Sequence, residues 1–179
     1  MFGPTFSDGI VTIRKHVQSD IQDRFDGGFH SKIVEMYGGD PTNIQQMTME
    51  KAEEWYNNIE HRFRSWVIEF EGRCVGHSFL DEFDETNKKC KFSIGLFSPN
   101  DFNKGIGTRA CKLTLKYAFH DLRCHRVELI VFEKNKGAIK CYEKAGFRQE
   151  GVLRDNVFVF GKYETDIVMS ILDFEFPKG

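Results

Sequence analysis

The run from Lys91 to Phe147 constrains this chain most, because its elements can be read one after another with few alternatives. Lys91 to Phe97 (KFSIGLF) alternates as a strand does, and Ser98 to Lys104 is a loop containing Pro99. Gly105-Ile106-Gly107-Thr108 then opens a helix that runs to about Leu122. Its apolar face is Cys111, Leu115, Ala118, Phe119 and Leu122, spaced three or four apart. His125 to Phe132 is an apolar strand, and a short helix spans Lys136 to Lys144. Gly146 stands where a left-handed residue closes such a helix. The result is one strand–helix–strand crossover.

The rest of the chain adds strands before and after it. Ile10 to Arg14 reads as a first strand, Ser19 to Phe25 begins a helical stretch, and Met36 to Thr42 (MYGGDPT) is turn-rich. A helix opens at Thr48 or Met49 and continues to about Ile59. Arg64 to Glu71 and Cys74 to Glu82 are strands joined by a turn at Gly72-Arg73. Asp84 to Lys89 is a polar hairpin loop without the ligand spacing of a calcium-binding loop. Strands also start at Phe147 and cover Glu164 to Phe174. Such an order indicates a mixed α/β domain, and no repeat or linker divides residues 1–179.

Composition narrows the function. A net charge of −2 carries no basic excess for nucleic acid, so the 18 Phe read as core rather than base-stacking surface. No apolar stretch reaches the roughly 20 residues of a membrane span. Met1 to Ile10 has no basic residue and is not a signal peptide, so an intracellular, cytoplasmic chain is expected. Cys74, Cys90, Cys111, Cys124 and Cys141 are scattered and form no Cys-x-x-Cys pair. They read as free thiols rather than disulfides or metal ligands.

Two elements carry chemistry. Gly105-x-Gly107 at a helix start turns backbone N–H groups and the positive helix end toward one point, which suits a pyrophosphate. The letters Gly105-x-Gly107-x-x-Ala110, with Glu128 about 20 residues on, also fit a dinucleotide fingerprint. That fingerprint needs a strand running straight into the first glycine, and Ser98 to Lys104 intervenes. The second element is Asn135-x-x-Ala138-x-x-x-Tyr142-x-x-x-Gly146-Phe147. Asn135 can cap the helix or hold a ligand, and Tyr142, two helical turns on, shares its side.

Taken together, FNKGIGTRACKLTLKYAF, HRVELIVFEKN, KGAIKCYEKAGF and EGVLRDNVFVFGKYETDIVMSIL resemble the GNAT N-acetyltransferases. Within that superfamily they are similar to the branch of the ribosomal-protein and spermidine/spermine enzymes. The resemblance implies a mixed, mostly antiparallel sheet of about six to seven strands flanked by helices, with a splayed strand pair holding the cofactor. It implies acetyl-CoA as donor. Backbone groups of Leu96, Phe97 and Ser98 would pair with the pantetheine arm. Backbone amides from Asn103, Lys104, Gly105, Ile106, Gly107 and Thr108 would hold the pyrophosphate. Asn135 would touch the cofactor, and Tyr142 would protonate the leaving thiolate. Phe102 stands where the family often has Gln or Arg, so Asn103 or Lys104 would compensate.

The acceptor implied is a small amine or a peptide N-terminus. Glu128, a carboxylate inside the apolar run VELIV, is the candidate general base, with an ion pair to Arg126 or Arg154 as its structural alternative. Asp81, Glu82 and His77 are further candidates for the base. A non-catalytic acyl-CoA sensor on the same fold stays open, as does a homodimer.

Overall fold

Trp66, Ile68, Leu80, Val127, Met169 and Ile171 come from four strands, yet each is under 2% exposed and all join one apolar cluster. That cluster forms one side of a single sheet. The structure, a computed structural model, describes residues 2–177, Glu60 by its backbone alone. Along the chain come β1 (Phe6–Ser7), β2 (Val11–Arg14), α1 (Asp20–Gly27), α2 (Ser31–Met36) and α3 (Met49–Asn58). Then follow β3 (Arg64–Phe70), β4 (Arg73–Asp84), β5 (Lys89–Leu96), α4 (Ile106–Lys116) and β6 (Arg126–Phe132). α5 (Lys136–Ala145), β7 (Arg148–Val159) and β8 (Lys162–Leu172) complete the fold.

The strand order is β1-β2-β3-β4-β5-β6-β8-β7. The eighth strand, beyond the expected number, is β1, whose two residues are too few to show a pattern. All neighbours are antiparallel except β5 and β6, which are parallel. This parallel ladder contains only Lys89↔Arg126, Cys90↔Val127 and Lys91↔Glu128. Past it, β5 continues to Leu96 on β4 alone and β6 continues to Phe132 on β8 alone. The two strands therefore splay into a V that is closed at Lys91–Glu128 and open at their C-terminal ends. Since α4 follows β5 and α5 follows β6, both helix N-termini lie at the open end.

α4 and α5 pack on one face of the sheet. α4 buries Ile106, Ala110, Cys111, Leu113 and Leu115 there, and full burial of one such aliphatic chain is worth about 1.5–3 kcal/mol. The expected helix to Leu122 is α-helical only to Lys116; Tyr117–Asp121 widens into a π-turn. Arg64 Nε donates to the Tyr117 hydroxyl at 2.7 Å across that turn.

On the opposite face, Ile59, Val67, Cys74, Phe79 and Phe97 form a smaller cluster with Trp55. α1 is tied to β2 by Arg14, whose guanidinium meets both oxygens of Asp20 at 2.8 and 2.9 Å. Asp20's side chain is only 1% exposed, so this pair is enclosed. The β7–β8 hairpin turns on Phe160 and Gly161, both at positive φ, as a two-residue turn requires.

Candidate active site

The loop and the start of α4 form the first half of the site. Asn103 and Gly105 both sit at positive φ (62° and 79°), which curls the chain into α4. Gly105 is the residue before the helix, and no side chain caps it. The first intrahelical bond is Arg109 N–H to the Gly105 carbonyl. The N–H groups of Ile106, Gly107 and Thr108 at this uncapped end are therefore available to an anion.

The two glycines serve different purposes. Gly105 supplies the left-handed conformation, with open space where a side chain would point. Gly107 supplies closeness: a Cβ there would lie 3.2 Å from the Cys141 thiol on α5. Thr108 completes that contact by donating its hydroxyl to Cys141 Sγ at 3.4 Å. Its backbone, not its side chain, thus remains for a ligand.

Lys104 is not directed at the helix end. Its ammonium lies 3.2 Å from Asp101, which is 3% exposed and also faces Arg73 at 3.3 Å. The cation brought to the loop beside Phe102 is instead Lys32 of α2, 5.7 Å from the centre of the Phe102 ring. Its sequence surroundings gave no signal, because it lies 70 residues upstream of the ring it covers. A cavity of about 260 Å³ borders the loop on the α1 side, lined by Asp23, Asp26, Arg73, Phe97, Ser98 and Asp101.

β5 forms one wall of the V. Phe97 donates its N–H to the Val75 carbonyl of β4 at 2.9 Å. Backbone groups alternate sides along a strand. Gly95 therefore also faces β4, while Ile94 and Leu96 turn their N–H and C=O into the V. This corrects the expectation for Phe97, whose N–H is already used and whose ring packs on Trp55 at 5.3 Å and under the Arg24 guanidinium at 4.6 Å. Leu96 lies on the edge of β5 that faces the V. Ser98 starts a short turn, its Oγ accepting from Asn100 N–H.

α5 lies along the other side of the opening. Asn135 Oδ1 accepts the Ala138 N–H at 3.1 Å, so this oxygen is a helix cap and only the amide nitrogen remains for a ligand. Gly146 closes the helix at φ 110°, as expected. Tyr142 is 8% exposed, its ring edge-on to Phe92 at 6.2 Å and to Phe147 at 5.8 Å. Burial, then the nearby Cys111, Tyr37 and Cys141, push its phenol well above the ordinary tyrosine range. It therefore stays protonated at neutral pH and can donate.

Glu128 is at the closed end of the V, on the face away from α5. Arg126 Nε donates to its Oε2 at 2.9 Å. Arg126 also clasps Glu150 at 2.6 and 2.7 Å, and Ser170 adds a bond that helps hold the Glu150 carboxyl down at about 2. The ion-pair alternative read for Glu128 is thus present. Among the other base candidates, Asp81 binds Arg62 at 2.8 Å and Glu82 binds Lys91 at 2.6 Å.

His77 sits on β4 opposite Gly95. Its Nδ1 accepts the Trp55 indole N–H at 3.1 Å. An indole only donates, so the neutral ring carries its proton on Nε2, on the Gly95 side. Burial, with Arg24 and Arg62 nearby, lowers its pKa to about 3. A ring so held is a hydrogen-bond donor, not a base.

Sequence reading also missed Tyr37, just beyond α2. Its hydroxyl donates to the Ile94 carbonyl at 3.0 Å, between the splayed strands. Burial of that hydroxyl raises its pKa to about 12. The N-termini of α4 and α5 thus flank the open end of the V, the inner edge of β5 lines it, and Glu128 stands at its closed end.

The family profile of the acetyltransferase (GNAT) domain matches residues 11–148. The spermidine N(1)-acetyltransferase of Escherichia coli is 35% identical over 113 residues, 63% of this chain and 60% of that enzyme's length. The crystal structure of spermidine N-acetyltransferase from Vibrio cholerae in complex with CoA and spermine superimposes with a TM-score of 0.75 at 25% identity. That match covers 94% of this chain and 99% of the other. A GNAT-family acetyltransferase from Bacillus anthracis, 20% identical, shares the fold with a TM-score of 0.80 over 96% of this chain and 99% of its own.

Proposed function

Because the chain belongs to the GNAT acetyltransferase family, we propose that it moves an acetyl group from acetyl-CoA to a primary amine by direct attack in a ternary complex. The observation that carries this reading is the V, which runs from an uncapped helix N-terminus past strand edges that no neighbouring strand pairs to a buried phenol. A pyrophosphate fits the N–H groups of Ile106, Gly107 and Thr108, and an extended amide arm fits the inward edges of Leu96 and Ile94. Bound there, acetyl-CoA supplies an activated acyl group as a thioester.

The chain's own groups then do the rest. Holding amine and thioester together supplies much of the rate. The inward Ile94 N–H stabilises the negative charge that develops on the attacked carbonyl. Tyr142 donates to the departing sulfur. An alkyl amine, with a pKa of about 10.4, must first lose a proton. A carboxylate is a far weaker base than such an amine, so Glu128 acts by orienting water that carries the proton away, with Arg126 holding it in place. Cytoplasmic location and a polyamine-like acceptor complete the reading; the named relatives make spermidine the first acceptor to try.

The test is release of CoA thiol from acetyl-CoA with polyamines, amino acids, aminoglycosides and short peptides. Turnover with one amine class supports the proposal and names the acceptor. Tight acetyl-CoA binding without turnover on any amine points to an acyl-CoA sensor on this fold, and no binding at all overturns both.

A further inference from the structure

The slot is not open along its whole length. Tyr37 enters it from the face opposite Tyr142, and its hydroxyl donates to the Ile94 carbonyl. The residue as a whole is 61% exposed, and this hydroxyl bond is what ties it to β5. Gly95 makes the room. A Cβ at Gly95 would lie 2.0 Å from the Tyr37 hydroxyl and 3.2 Å from His77 Nε2. Any residue with a side chain at 95 would expel the phenol.

α2 and the turn after it cross the V as a strap. A Cβ at Gly38 would lie 3.4 Å from the Phe132 ring at the end of β6 and 4.0 Å from Val159 of the last hairpin. Glu35 meets Lys134 at 3.4 Å, an exposed pair of the kind worth little. The strap thus meets β5 through the Tyr37 hydroxyl, and its other contacts include the exposed Glu35–Lys134 pair and Lys32 over the Phe102 ring.

Position along β5 assigns what Tyr37 covers. Leu96 and Ile94 both face the V and are about 6.6 Å apart along the strand. The slot closes at Lys91. A donor anchored by its pyrophosphate at α4 and lying along Leu96 therefore brings its acyl end to Ile94. We propose that Tyr37 gates the acetyl end of the V: its hydroxyl holds the Ile94 carbonyl in the free protein and gives it up when the acyl donor seats. This inference rests on the acetyltransferase reading and adds a gate residue to it.

The test is calorimetric titration of wild type, Tyr37→Phe and Tyr37→Ala with acetyl-CoA and with CoA, the fold of each checked by thermal melting. Tyr37→Phe removes the bond that only the free protein makes. Acetyl-CoA should then bind about two- to tenfold more tightly, the value of one net hydrogen bond. CoA, which lacks the acetyl group, should gain less. Unchanged or weaker acetyl-CoA binding by a folded Tyr37→Phe protein overturns the gate. An equal gain for CoA places the hydroxyl on the arm rather than the acetyl end, and overturns the assignment too. A wild type that binds neither ligand contradicts the acetyltransferase reading itself.

Discussion

Phe97 gives its N–H to the Val75 carbonyl at 2.9 Å, and this one bond decides which edge of β5 faces the V. With Phe97 turned to β4, Ile94 and Leu96 must turn the other way. The arm-binding edge and the Tyr37 contact follow from that alternation.

Tyr142→Phe keeps the ring packing against Phe92 and Phe147 and removes only the proton donor. The expected outcome is a fall in kcat of about a hundredfold, with the KM for acetyl-CoA little changed. Steady-state kinetics on the best acceptor check it. A rise in KM at constant kcat would move Tyr142 from the chemistry to binding.

Gly107→Ala should weaken acetyl-CoA binding by pressing α5 away from α4, because the new methyl meets Cys141 Sγ at 3.2 Å. Cys141→Ala should restore binding in the double variant. Gly105→Ala faces open space and strains only φ, at about 1–2 kcal/mol, so Cys141→Ala should not rescue it. Binding titrations of the four variants test the contrast.

His77 should remain neutral well below its ordinary pKa of 6.5, since its folded value is about 3. Between those values the unfolded chain takes up a proton that the folded chain refuses, so stability falls as pH drops through that window. Above pH 6.5 the residue has no such effect. Imidazole NMR should show no His77 titration down to pH about 4, and His77→Gln should flatten the acid loss of the melting temperature.

Arg14→Met should destabilise the fold by about 3–5 kcal/mol, because it strands Asp20 as a buried charge. Replacing Asp20 as well, with Asn, should recover part of the loss. Urea unfolding of the single and double variants measures both.

Much of the site was legible because it is local. Gly105-x-Gly107, the Asn135 cap and the Gly146 stop each involve neighbours a few residues apart, whose backbone needs fix the residue type. What could not be read depends on register. Phe97 and Leu96 look alike in a strand until the Val75 bond settles their direction. Tyr37 looked like part of a polar turn, and its partner Ile94 is 57 residues away. Gly107 read as a phosphate glycine, whereas the Cys141 contact across α5 also requires it. Lys104 read as a phosphate cation until Asp101, buried beneath it, claimed its charge.

The most direct measurement follows the acetyl group itself. Protein is incubated with radiolabelled acetyl-CoA, first alone and then with spermidine and the other amines. Transfer by direct attack predicts no label on the protein, Cys141 included, and label in an acetylated amine once the acceptor is added. Label that reaches no amine, or that must pass through the protein first, would contradict the account.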